Sequence, residues 1–220
     1  DSIADYFFTT STWASDNLMK YGADASKIHF VGNVMIDSLY QNINRIKKPV
    51  FWEEYQLDQG NYIVLTLHRP SNVDEKEPLI NSLTSINDLA GDKKVVFPVH
   101  PRTKAILENT NLRFKNIIYV EPQGYLCFLY LIKNAFVVIT DSGGISEETT
   151  VLDIPCFTLR ENTERPETIT LGTNILVGNC TGKLKSAYNL FLKNGRRKSS
   201  IPELWDGKAS ERIISILLDK

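Results

Sequence analysis

The 220-residue sequence predicts an α/β fold, a doubly wound and mainly parallel sheet. Three observations lead there. Short β-rich apolar runs alternate with amphipathic segments along most of the chain. Several of those runs are apolar without interruption, as strands are when both faces of a parallel sheet are covered. The residues with the most chemistry to offer stand directly after the runs, where open α/β sheets bind ligands.

Taken in order, the expected strands are Asp5–Thr9, Lys27–Val31, Tyr62–Leu67, Lys94–Val99, Asn116–Val120, Phe136–Thr140, Cys156–Leu159 and Asn174–Val177. Between and after them the 3.6-residue period predicts helices over Thr12–Tyr21, Val34–Ile46, Glu77–Leu89, Thr103–Asn109, Tyr125–Ile132, Ile145–Leu152, Leu184–Leu192 and Lys208–Leu218. No repeat or low-complexity segment interrupts this alternation. A soft boundary falls near Lys47-Lys48-Pro49. Residues 1–48 hold two strand and two helix candidates, too little for a domain of their own, so either they pack on residues 49–220 or their sheet lies upstream.

Lys and Arg number 25 against 26 Asp and Glu, a net charge of −1. Without a cationic surplus a general nucleic-acid binder is not expected, and any bound anion needs a local site. No run approaches the roughly 18 apolar residues of a membrane helix. Cys127, Cys156 and Cys180 lie far apart in apolar surroundings, which predicts small buried thiols in a reducing compartment, the cytoplasm. The chain opens Asp-Ser-Ile-Ala-Asp with neither a basic signal segment nor an initiator Met, so it is expected to be part of something longer.

Five motifs follow strands. The first is Thr140-Asp141-Ser142-Gly143-Gly144-Ile145-Ser146-Glu147-Glu148. Glycines that admit a close ligand, with the unpaired amides of a starting helix and the Ser142 hydroxyl, suit a phosphate or diphosphate. Glu148, one turn inside, suits ribose hydroxyls. The plain alternative is a tight capped turn. The second, Leu67-His68-Arg69-Pro70-Ser71-Asn72, sets an imidazole beside a guanidinium, a proton carrier next to a phosphate-binding cation, although a lone strand-end His is often structural.

The third, His100-Pro101-Arg102, repeats that pair. In the fourth, Leu159-Arg160-Glu161-Asn162-Thr163-Glu164-Arg165-Pro166-Glu167, five charges crowd a short loop, and Arg160 or Arg165 can close on the anion held at Ser142. The fifth, Glu121-Pro122-Gln123-Gly124-Tyr125 with Phe128 beyond it, offers an amide and an aromatic face for a base; a core Phe is the alternative. His29, inside a strand, reads as structural.

The ordered set TLHRPSN, VHPRT, EPQGY, DSGGISEE, LRENTERPE and DGKASERI resembles the non-hydrolysing UDP-N-acetylglucosamine 2-epimerases along essentially the whole chain. The resemblance implies the carboxyl-terminal half of a two-domain GT-B-type fold. Residues 1–48 would then be the last elements of the amino-terminal domain and a crossover linker. Residues 49–220 would be a UDP-binding Rossmann-like domain whose final helix returns to the other half. It implies that Ser142, Gly143 and Gly144 hold the diphosphate and Glu148 the ribose, while Gln123 and Phe128 meet the uracil and Arg165 the nucleotide. His68 would lie at the phosphates as the catalytic residue, with Arg69, His100, Arg102 and Arg160 as further anion contacts. The reaction implied interconverts UDP-N-acetylglucosamine and UDP-N-acetylmannosamine through elimination and re-addition of UDP.

No metal and no cofactor are expected: no His/Cys/Asp cluster has ligand spacing and no GxGxxG opens the first turn. The expected partner is the UDP-N-acetylhexosamine itself, with no nucleic acid and no membrane, in a homodimer. Ser71 stands where many members carry Glu, and the family's proton-transferring acids belong to the amino-terminal half. The 220 residues alone are therefore expected to bind UDP without epimerising. A hydrolysing epimerase, a GT-B glycosyltransferase half and a catalytically silent UDP-sugar-binding domain are the rival readings.

Overall fold

The computed structural model describes residues 3–108 and 113–218. They form two compact units, one from the chain's two ends (1–44 and 200–220) and one from residues 45–199.

In the first unit, strands β1 (Phe7–Thr9) and β2 (Ile28–Phe30) pair in parallel, with helix α1 (Thr12–Lys20) between them and α2 (Val34–Asn42) after. Ser11 caps α1 by accepting from the Ala14 amide, and Asn33 caps α2 by accepting from Met35 at 2.9 Å. The last helix, α10 (Ala209–Leu218), belongs to this unit. Its orphan amides are taken by a residue far back in the sequence: buried Asp37 accepts from Ala209 N at 3.0 Å and from Ser210 N and Oγ at 2.6 Å each. Trp205, almost fully buried, donates its indole N–H to Thr10 O at 2.9 Å. Gly32 at φ +91° is required, since a Cβ there would lie 2.0 Å from Leu204 O. His29 stacks loosely on Tyr6 and Phe8, the structural role its sequence position predicts.

The second unit is a six-stranded, all-parallel sheet in the order β5-β4-β3-β6-β7-β8. In chain order it runs β3 (Tyr62–Thr66), α3 (Pro70–Val73), α4 (Lys76–Ala90), β4 (Lys94–Pro98), α5 (Pro101–Glu108) and β5 (Ile117–Val120). It continues through α6 (Tyr125–Lys133), β6 (Val137–Thr140), α7 (Gly143–Val151), β7 (Cys156–Thr158), α8 (Pro166–Thr170), β8 (Asn174–Leu176) and α9 (Thr181–Asn194). Counted within the sheet this is 3-2-1-4-5-6, the Rossmann order, with its switch point between β3 and β6.

Alternation along β3 shows why the sheet is covered twice. Ile63 and Leu65 face a core built with Leu79, Leu83 and Ile86 of α4 and Leu184 and Tyr188 of α9. Tyr62 and Val64 face another built with Leu131 and Ile132 of α6 and with Phe51, Trp52 and Leu57. Tyr62 is fully buried and its hydroxyl donates to Leu131 O at 2.6 Å.

All eight expected strands form. Two short helices were not expected, α3 and α8; each starts on a proline, Pro70 or Pro166, which serves as a first helical residue, where no N–H is needed. Helix α5 begins two residues before its expected start; Asn109, its expected end, is outside the described residues. The cysteine expectation holds for buried Cys156 and fails for Cys180, which is exposed at the N-cap of α9, where the Lys183 and Gly182 amides lower its thiol pKa; Cys127 is half-buried. Among the described residues no helix is long and apolar enough to cross a membrane.

Candidate active site

The switch point puts the ends of β3 and β6 side by side, with Thr66 and Thr140 in register and their hydroxyls 2.6 Å apart. One residue past Thr140, Asp141 is wholly buried. Its Oδ2 accepts from His68 N at 3.0 Å, Arg69 N at 2.9 Å and Asn72 Nδ2 at 3.0 Å. Its Oδ1 lies 2.7 Å from His68 Nδ1. The carboxylate therefore clips the whole His68–Asn72 turn to the glycine turn. Sequence reading assigned it no part. The signal was its place beside Ser142, legible only once β3 and β6 are known neighbours.

Helix α7 begins at Gly143, two residues earlier than its apolar pattern predicts, with Ser142 at the N-cap. The Ser142 side chain makes no capping bond, and its amide donates to Thr140 Oγ1 at 3.0 Å. Gly143 matters because Arg160 comes close: a Cβ would sit 3.3 Å from Arg160 Nη1.

The charged loop after β7 closes on this turn. Gly143, Gly144, Arg160 and Arg165 line one cavity of about 110 Å³ with Glu147, Thr163 and Glu164. Arg165 donates through Nε to buried Glu147 in an ion pair. Arg160, only 6% exposed, reaches Glu164 at 3.3 Å through Nη2, while its Nε has no acceptor among the described residues. A buried guanidinium so sparsely matched is costly unless an anion completes it.

Glu148 joins this group to the loop after β5. Tyr125 Oη donates to Glu148 Oε1 at 3.0 Å. Burial raises the Glu148 pKa, the Tyr125 bond opposes the rise, and Glu147 nearby adds to it; burial likewise pushes the Tyr125 phenol up.

Gln123 turns its amide back onto Glu121 O at 2.7 Å. Phe128 packs on the α6 side of the core, which is the plainer of its two sequence readings. His100 is exposed where β4 ends, and the Arg102 and Ser71 side chains are outside what is described. Two larger concavities, of about 600 and 310 Å³, run along β8 and α9 and share no residue with this site.

Known proteins resemble this chain over its whole length. The sequence profile of the UDP-N-acetylglucosamine 2-epimerases matches residues 1–218. This chain belongs to the UDP-N-acetylglucosamine 2-epimerase family. The Methanocaldococcus jannaschii UDP-N-acetylglucosamine 2-epimerase is 42% identical over 99% of the chain. A Pseudomonas aeruginosa UDP-2,3-diacetamido-2,3-dideoxy-D-glucuronate 2-epimerase is 33% identical, also over 99%, and the match spans 60% of its length. The crystal structure of the M. jannaschii epimerase in complex with UDP-GlcNAc and UDP superposes with a TM-score of 0.87 at 41% identity, covering 100% of this chain and 62% of that one. The chain thus spans 62% of the length of the M. jannaschii relative. Membership accounts for the GT-B-type half-fold the sequence resembles.

Proposed function

We propose that this chain is the nucleotide-binding part of a UDP-N-acetylglucosamine 2-epimerase that interconverts UDP-N-acetylglucosamine and UDP-N-acetylmannosamine without releasing free sugar. One observation carries the reading: Gly143, Gly144, Arg160 and Arg165 line a single small cavity at the amino end of α7, beside the buried carboxylate that holds His68.

A departing diphosphate needs fixed positive charge where its negative charge grows. The first amides of α7 supply part of it and the two guanidinium groups the rest. Glu148, with Oε1 held by Tyr125, keeps Oε2 for ribose hydroxyls. Gln123 would exchange its contact with Glu121 O for a base edge. In the reaction a base takes the C2 proton while the C1–O bond breaks, giving a 2-acetamidoglucal and UDP. An acid then protonates C2 from the other face as the UDP oxygen re-forms the bond to C1. The two carboxyl groups for those proton transfers lie, in this reading, in the amino-terminal half; His68 works beside the C1–O bond. The enzyme requires no metal or cofactor, and acts as a homodimer in the cytoplasm.

The test is incubation of the full-length protein with UDP-N-acetylglucosamine. The manno epimer with UDP retained supports the proposal. Free N-acetylmannosamine with UDP means a hydrolysing enzyme, transfer only to an added acceptor means a glycosyltransferase, and binding without turnover means a silent domain. Since the P. aeruginosa relative is named for a diacetamido uronate, the same assay with that UDP-sugar decides which sugar the site takes.

A further inference from the structure

We infer that Asp141 is a positioning residue for the reaction, fixing the His68 ring with Nδ1 engaged so that Nε2 is the nitrogen that exchanges a proton at the site. The inference rests on the proposed place of His68 beside the C1–O bond, where the ring exchanges a proton with the departing or returning UDP oxygen, apart from the two transfers at C2.

The geometry gives Asp141 no freedom. Its side chain is completely buried, and besides the ring it accepts from two backbone amides and the Asn72 amide. A carboxylate held by that many donors keeps its orientation, and as an acceptor it obliges Nδ1 to be the donor. In the neutral ring the hydrogen is therefore on Nδ1 and the lone pair on Nε2. The ring itself remains open: the His68 side chain is 58% exposed although its partner is 0% exposed. One edge is anchored inside the protein while the other faces outward at the strand ends. When Nε2 takes a proton from a β-phosphate oxygen of UDP, that O–H bond breaks as the N–H bond forms, the phosphate regains its charge, and the ring becomes an imidazolium with Nδ1 still 2.7 Å from Asp141 Oδ1. Returning the proton reverses the step, so nothing is consumed.

A carboxylate that served only to clip the turn would make no demand on the tautomer, and this separates the two roles. In the full-length protein with ¹⁵N-labelled histidine, at a pH where His68 is neutral and with its signal assigned through His68→Gln, the Nδ1–H tautomer is expected. In Asp141→Asn, where the side-chain amide can donate to Nδ1, the Nε2–H form is expected. There kcat should fall about 100-fold or more while UDP affinity changes less than about threefold. An Nε2–H tautomer in the unmodified protein overturns the inference, as does an Asp141→Asn enzyme that folds and turns over at the unmodified rate. Should the Asn variant not fold, the tautomer of the unmodified protein decides alone. Finding the Nδ1–H tautomer in a protein inactive on UDP-sugars would refute the epimerase reading and leave the positioning geometry standing.

Discussion

The two corners of the site, His68 with Asp141 and Arg165 with Glu147, are each built from a side chain on a loop and a buried carboxylate next to the glycine turn, yet they are finished to different degrees. Asp141 is saturated: every contact it needs comes from the protein. The arginine corner is not. Arg165 meets Glu147 through Nε, Arg160 behind it meets Glu164 at 3.3 Å, and the Arg160 Nε has no acceptor among the described residues. A group that must be aimed before substrate arrives is held rigidly. Groups that must grip an incoming anion keep donors in reserve.

The largest expected effect tests the aimed corner. His68→Asn in the full-length enzyme should lower kcat about 100-fold or more with UDP affinity within about threefold, read from steady-state kinetics and titration calorimetry. A loss of affinity alone would make His68 a binding group and erase the contrast. At the gripping corner, Arg165→Ala and Ser142→Ala should each weaken UDP binding by about 1–3 kcal/mol by calorimetry.

Glu148 belongs to the gripping side, and its raised pKa gives a pH test. Because the folded state holds the proton more tightly than the unfolded chain, stability falls as pH rises from the unfolded carboxyl value through the raised one, and the penalty persists at neutral pH. Glu148→Gln should therefore raise Tm by roughly 2 °C at pH 7, lose that gain below pH ~4, and bind UDP more weakly. The smallest expected change is Gly143→Ala. Helix propensity adds up to about 1 kcal/mol, offset by the 3.3 Å approach to Arg160 Nη1, so Tm should barely move while the shifted guanidinium lowers UDP affinity severalfold.

The strands were legible because the four inner strands of the main sheet, β3, β4, β6 and β7, are buried on both faces and read as apolar runs. The strand ends were legible as sites because His68, Arg102 and Arg165 each follow such a run. What sequence could not supply was adjacency. Asp141 and His68 are 73 positions apart, and their meeting depends on β6 pairing with β3 instead of with β5. Arg165's partner was hidden differently. Glu147 sits in a string, Ser146-Glu147-Glu148, that looks like the polar face of a helix, but α7 lies so deep that both glutamates are buried. The same burial explains why the hydrophobic period placed the start of α7 two residues late.

Asp37 reaches residues 172 and 173 positions ahead of it, Ala209 and Ser210. As a ribosome delivers the polypeptide, the contiguous sheet unit can close as soon as Ser199 is out. The Asp37 carboxylate, by contrast, gains its partners on α10 only after Ala209 and Ser210 have emerged. Trimming residues 200–218 would thus harm the first forty residues more than the hundred and fifty that come between.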